Sequence, residues 1–132
     1  MSAERTIYTL GGKNKNQMSV RKIQNFNLDK MNLVRPFTEH LPFDVSGCAV
    51  TTIRPQREFY LCGGNIDGKT SRRATKMTIR GQKISFEDLP DMLEAREEHG
   101  LVTGPDQRVY AVGGCKQDGS YLDSIEVFDS NS

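Results

Sequence analysis

Val109-Tyr110-Ala111-Val112-Gly113-Gly114 is a short apolar run that stops at two glycines. Phe59-Tyr60-Leu61-Cys62-Gly63-Gly64 has the same form, and so does Ile7-Tyr8-Thr9-Leu10-Gly11-Gly12. Each stretch is an apolar residue, a tyrosine, two mostly apolar residues and a Gly-Gly pair. The second glycines, Gly12, Gly64 and Gly114, are spaced by 52 and then 50 residues. Strand-like units repeated at about 50 residues predict an array of small β-sheets such as propeller blades.

The remaining sequence divides around these stretches. Asn-rich Lys13-Asn14-Lys15-Asn16-Gln17 predicts a surface turn. Alternation predicts a strand over 21–27, with Phe26 facing a core. Residues 31–37 are interrupted by Pro36, which predicts an edge strand. The β-branched run 48–53 lacks strict alternation, which predicts a strand buried on both faces. Residues 73–80 alternate, with Thr75, Met77 and Ile79 on one face, and 83–87 place Ile84 and Phe86 together. The composition of 93–98 suits a helical turn, but the repeat frame puts a loop there. Strands over 99–103 and 122–129 complete a set of ten.

A chain of 132 residues is enough for one ordinary domain. Its 18 Lys+Arg and 17 Asp+Glu nearly cancel, so no field gathers nucleic acid or an anionic membrane. Hydrophobic content of 36% without tryptophan fits short strands joined by polar loops. No apolar run approaches the roughly 18 residues of a membrane helix, and none follows Met1 as a signal peptide would require. Cys48, Cys62 and Cys115 show no C-x-x-C spacing, which argues for a reducing, cytoplasmic setting rather than a disulfide or zinc framework.

Taken together these residues resemble kelch repeats over essentially the whole chain. The three Gly-Gly strands carry the resemblance most strongly. Leu89-Pro90-Asp91-Met92, Ala95-Arg96 and His99-Gly100 precede the third repeat in the manner of the family, and Tyr121 to Asp129 resembles its third strand. The hallmark fourth-strand tryptophan is absent; Phe86 stands in for it in the middle repeat and Leu33 or Phe37 in the first. The resemblance implies an all-β, incomplete kelch-type β-propeller of four-stranded antiparallel blades, with about ten strands. Residues 1–38 would supply strands 2 to 4 of one blade, 47–90 a full blade, and 99–132 strands 1 to 3 of another. The glycines Gly11, Gly12, Gly63, Gly64, Gly113 and Gly114 are structural in this frame. Open blade faces then need the rest of a longer chain, other copies or other subunits to cover them.

Kelch proteins typically bind protein partners on the rim shared by the loops after strand 2 and the blade-joining loops. The resemblance implies such a role here, as a scaffold or adaptor of the ubiquitin-ligase receptor or cytoskeletal kind, with a structural subunit as the alternative. Lys13, Lys15, Asn65, Arg72, Arg73, Lys116 and Tyr121 are the expected partner-binding residues, with Arg96 among the joining-loop residues of the same rim. Their basic character suggests an acidic peptide. Catalytic, metal and cofactor residues are not expected. His40 and His99 read as equivalent residues before innermost strands, with no ligand cluster around them. A kelch-type copper oxidase would need a Tyr/Cys/His set that the sequence does not supply.

Overall fold

The structure is a computed structural model that describes residues 6–33, 39–54, 57–81 and 83–129. Its strands in chain order are β1 (Thr6–Leu10), β2 (Ile23–Asn27), β3 (Asn32–Leu33), β4 (Val45–Ser46), β5 (Ala49–Arg54), β6 (Glu58–Cys62), β7 (Asn65–Ile66), β8 (Lys69–Thr70), β9 (Ala74–Arg80), β10 (Lys83–Leu89), β11 (Gly100–Thr103), β12 (Arg108–Val112) and β13 (Ile125–Asp129). Ten of them form three antiparallel sheets, ordered β1-β2-β3, β10-β9-β6-β5 and β11-β12-β13. This is the all-β, incomplete propeller that the resemblance implies. The other three, β4, β7 and β8, pair as a small sheet in the loops above.

Each Gly-Gly stretch becomes the second strand of such a meander or, in the first sheet, its leading strand. Alternation then sorts its side chains between two neighbouring sheets. Phe59 and Leu61 point toward the first sheet, where they join Ile23, Leu41, Val45, Met77, Ile79 and Ile84 in the buried cluster. Burying side chains of this size contributes about 2 kcal/mol each. The opposite face of β6 turns to the third sheet, where the Tyr60 ring meets Phe128 edge-on at 5.7 Å between centroids. Thr51 and Thr103 hydroxyls, 3.1 Å apart, join the innermost strands β5 and β11 across the same gap.

The Gly63-Gly64 pair lets the chain pass tightly under the next linker. Gly63 has φ +66°, and a Cβ there would lie 2.2 Å from the Arg96 carbonyl oxygen. The Gly64 N–H donates to that same oxygen at 2.9 Å. Only a residue without a side chain permits both the left-handed backbone and the contact.

Two expectations change, and a third falls partly outside the described residues. In β2, Ile23 rather than Phe26 enters the core, because Tyr8 and Leu10 pair opposite Asn25 and Ile23 on the inner face. Phe26 lies on the other face, opposite Ile7. Strand β5 is not buried on both sides: Val50 and Thr52 are exposed, since no strand of the first sheet lies opposite them among the described residues. Of the edge strand expected over 31–37, Asn32–Leu33 forms β3, while positions 34–38, including Phe37, lie outside the described residues. Phe86 packs against the core cluster. No helix among the described residues is long and apolar enough to cross a membrane.

Candidate functional site

Loops from the first two sheets and both linkers share one rim, and short backbone devices hold them there. The Asn14 side chain accepts N–H groups of Asn16 and Met18, closing the turn after β1 on itself. Asp67 and Gly68, both at positive φ, make the tight turn between β7 and β8. Val45 pairs with both Val20 and Ile66, so the linker ties the two loops together. The Gln117 side chain reaches from the third sheet's loop to Gly68 and Thr70.

Between these loops runs a groove of about 710 Å3 whose lining includes Lys13, Met18, Asp44, Asn65, Asp67, Glu97 and Glu98. Its ionisable lining is four carboxylates against one lysine. Asp44 is tied to Arg21 at 3.4 Å.

The expected rim residues do not form one patch. Lys13 and Asn65 line the groove, and Lys15 is exposed on the turn beside it. Arg72 pairs with Asp91 at 3.5 Å. Arg73 pairs with Asp88 at 3.1 Å and lies 4.4 Å above the Phe43 ring. Both arginines thus already have carboxylates of this chain. Lys116 is exposed in the turn closed by the Ser120 carbonyl, and Tyr121, 85% exposed, stands on the same loop. An acidic partner therefore finds little support in the groove, whose lining has the opposite charge.

Arg96 leaves the rim altogether. Its side chain is 0% exposed and bridges the second linker to the third sheet. It donates to the Gly113 carbonyl at 3.0 Å, the Ser124 carbonyl and hydroxyl at 3.1 Å each, and the Glu126 carboxylate at 2.9 Å. Glu126 in turn accepts the backbone N–H groups of Leu93 and Glu94. His99 is buried beside this pair, between Gly63 and Gly114. Burial, and then the Arg96 cation, push its pKa down to about 4, while Glu126 pulls the other way. The imidazole is therefore neutral at pH 7 and serves as a packing wedge.

His40 is not its counterpart. The Gly12 N–H donates to Val45 as the Gly64 N–H donates to Arg96. Counting from these positions matches His40 with Asp91, and His99 with Cys48. His40 is exposed. No local sequence signal marks Arg96 as buried, because the matching position holds valine. Its acceptors Gly113, Ser124 and Glu126 lie 17 to 30 residues away.

Nothing in this cluster is poised for covalent chemistry. Ser124 donates its hydroxyl proton to Glu94. Burial holds the Cys62 thiol up at about 12, with smaller pushes from Cys48 and Glu126, and burial raises Cys48 as well. Among the described residues, no three His, Cys, Asp or Glu side chains gather as a metal-binding set.

Residues 101–132 match the family model of the kelch motif. The match spans nearly all of β11, then β12 and β13. No curated protein matches the chain. Kelch repeats typically serve as interaction modules rather than enzymes. The matched motif is the third of three Gly-Gly strands in one phase, each in an antiparallel sheet stacked on its neighbour, and over residues 101–132 the chain carries the kelch motif.

Proposed function

We propose that the chain is a non-enzymatic protein-binding scaffold that receives a partner segment in its rim groove. The groove carries this reading. Loops of two sheets and both linkers converge on it, held by backbone pairing and by the Asn14 and Gln117 side chains, and rigidly held loops are where recognition concentrates. Met18 supplies an exposed apolar contact at its lip. The carboxylates Asp67, Glu97 and Glu98 favour a segment containing lysine or arginine, because opposite charges steer and register binding. An acidic segment held by Lys13, Lys15 and Lys116 is the competing outcome. A cytoplasmic setting is consistent with three free thiols. Ubiquitin-ligase receptor and cytoskeletal adaptor are the two uses that the captured partner would separate.

Affinity capture with the chain as bait, followed by peptide mapping of the bound protein, tests the proposal. Asp67→Lys combined with Glu98→Lys is expected to weaken binding of the mapped peptide at least about tenfold, or roughly 1.4 kcal/mol. Lys83→Glu, on the outer strand β10, is the control that leaves it unchanged. Unaltered binding in the double variant removes the groove from consideration, and a loss confined to Lys13→Glu would favour the acidic partner.

A further inference from the structure

Two sheet faces have no neighbouring sheet among the described residues, and their side chains are not those of a water-facing surface. On the third sheet, Val102, Tyr110 and Val127 are cross-strand neighbours, as are Val112 and Ile125. All five point away from the second sheet. Ile125 is 60% exposed and Val127 53%. At the other end, Ile7 and Phe26 pair across β1 and β2 on the face turned away from the second sheet.

Repeat equivalence says what each face fits. Leu10 pairs with Ile23, Cys62 with Ala74 and Val112 with Ile125, which sets the three sheets in one phase. The third sheet's open face is thus the counterpart of the second sheet's covered one. There, Thr51, Cys62, Ala74 and Lys76 hold the positions of Val102, Val112, Ile125 and Val127. Every replacement makes the open face bulkier in carbon or less polar than the face already covered. A solvent-facing sheet side shows the reverse trend.

The internal contacts also specify the partner side chains. Tyr60 meets Phe128 at 5.7 Å and Tyr8 meets Phe59 at 5.8 Å. Tyr110 is the third tyrosine in this series. By the same phase, the residue matching Phe128 is Phe26, and the residue matching Phe59 is Ile7. Both stand on the chain's other open face. Polar groups border the apolar patch, as at protein interfaces: Arg108 pairs with Asp129 at 3.5 Å and the Tyr110 hydroxyl donates to Asp106 at 2.7 Å.

We infer that the chain associates head to tail with a second copy of itself, the Tyr110–Val127 face of one copy covering the Ile7–Phe26 face of the next. The contact continues the stacking already made twice inside each chain. It is heterologous, since two different faces meet. A three-stranded face spans roughly 14 by 17 Å. One such contact falls short of the ~1,200 Å2 that a stable interface buries, so association depends on concentration.

Sedimentation of the full chain over a wide concentration range tests this. The unaltered chain is expected to self-associate as concentration rises. Ile125→Glu with Val127→Glu, and separately Ile7→Glu with Thr9→Glu, should each remain monomeric with unchanged circular dichroism. Mixed together, these two variants should form a dimer and nothing larger, because one intact face of each remains. Three results overturn the inference: an unaltered chain that stays monomeric throughout, a single-face variant that still dimerises, or a mixture that stays monomeric. Hydrogen exchange on the unaltered chain needs no variant. Protection of β1 and β13 should rise together with concentration, and a rise on one strand alone would refute the head-to-tail arrangement.

Discussion

Val45, between the first and second sheets, occupies the place that Arg96 occupies between the second and third. Both side chains are fully buried. Val45 accepts from Gly12 at 2.8 Å and donates to Val20 at 3.1 Å; Arg96 accepts from Gly64 at 2.9 Å and donates to Ser71 at 3.1 Å. One backbone frame is therefore filled in two ways. At the first junction Val45 packs with Ile23 and Leu41 in the main core. At the second, the guanidinium needs four acceptors in place, the Glu126 carboxylate among them, with Glu94 at 3.5 Å also balancing it. Ion pairing inside a protein is no stronger than good apolar packing, because desolvation offsets the attraction. Its difference lies in direction: Arg96 reaches past its own junction to the Gly113 carbonyl and the start of β13, whereas valine holds only what touches it.

The glycines under the two linkers provide the harshest test of this comparison. Gly11, Gly63 and Gly113 share φ values of +66°, +66° and +64°, so alanine carries the same backbone strain at each. A Cβ would lie 2.5 Å from the Val45 oxygen at Gly11 and 2.2 Å from the Arg96 oxygen at Gly63, but 3.5 Å from its nearest neighbour at Gly113. Gly63→Ala is expected to cost on the order of 4 kcal/mol, and Gly113→Ala about 1 kcal/mol, in urea unfolding. Equal losses at the two positions would mean that the linker does not press on the Gly-Gly strand.

Truncation inside each filling comes next in size. Glu126→Ala removes the nearer of the two carboxylates facing the buried Arg96 charge and leaves Glu94 at 3.5 Å, at a cost of about 3 kcal/mol. Val45→Ala removes two methyl groups from the apolar junction and should cost about 2 kcal/mol. Thermal unfolding of both variants checks the order, and a harmless Glu126→Ala would deny the ion pair any role at its junction.

The smallest effect is a difference in pH dependence. The folded chain holds His99 at about 4, below the ordinary 6.5, so unfolded chains take up the proton first as pH falls. Its contribution is intact above pH 6.5 and declines as pH drops from 6.5 toward 4. Cys48 fills the matching position at the first junction, and burial raises its thiol above the ordinary 9.0. That contribution is intact below pH 9 and is lost as pH rises beyond it, with Cys62 adding to the same trend. Urea midpoints should therefore fall less on acidification in His99→Gln, and less on alkalinisation in Cys48→Ala. Unchanged slopes in both variants would remove the contrast.

Strand phase was legible because glycine pairs are conspicuous and backbone spacing repeats. Counting from Gly12, Gly64 and Gly114 located the strands, and the alternation of Thr75, Met77 and Ile79 named a buried face correctly. The same alternation could not say which face of β2 meets a neighbour, so Phe26 and Ile23 were exchanged. The expected rim residues lie on loops, but their ion pairs are not legible in the sequence. Sequence shows Arg72 and Arg73 as basic rim residues, and folding sets Asp91 and Asp88 against them.

The sequence by itself determined the repeat and the three glycine-terminated strands, since both rest on local backbone requirements, and it carried the resemblance to kelch repeats. Tertiary structure alone decided that Arg96 is a buried bridge, that His99 matches Cys48 and not His40, and which faces stay uncovered. Those outcomes depend on partners 17 to 30 residues distant for Arg96 and on which sheet lies opposite. The linkers repeat in backbone course but not in residue type, so only their hydrogen bonds to Gly12 and Gly64 reveal the correspondence.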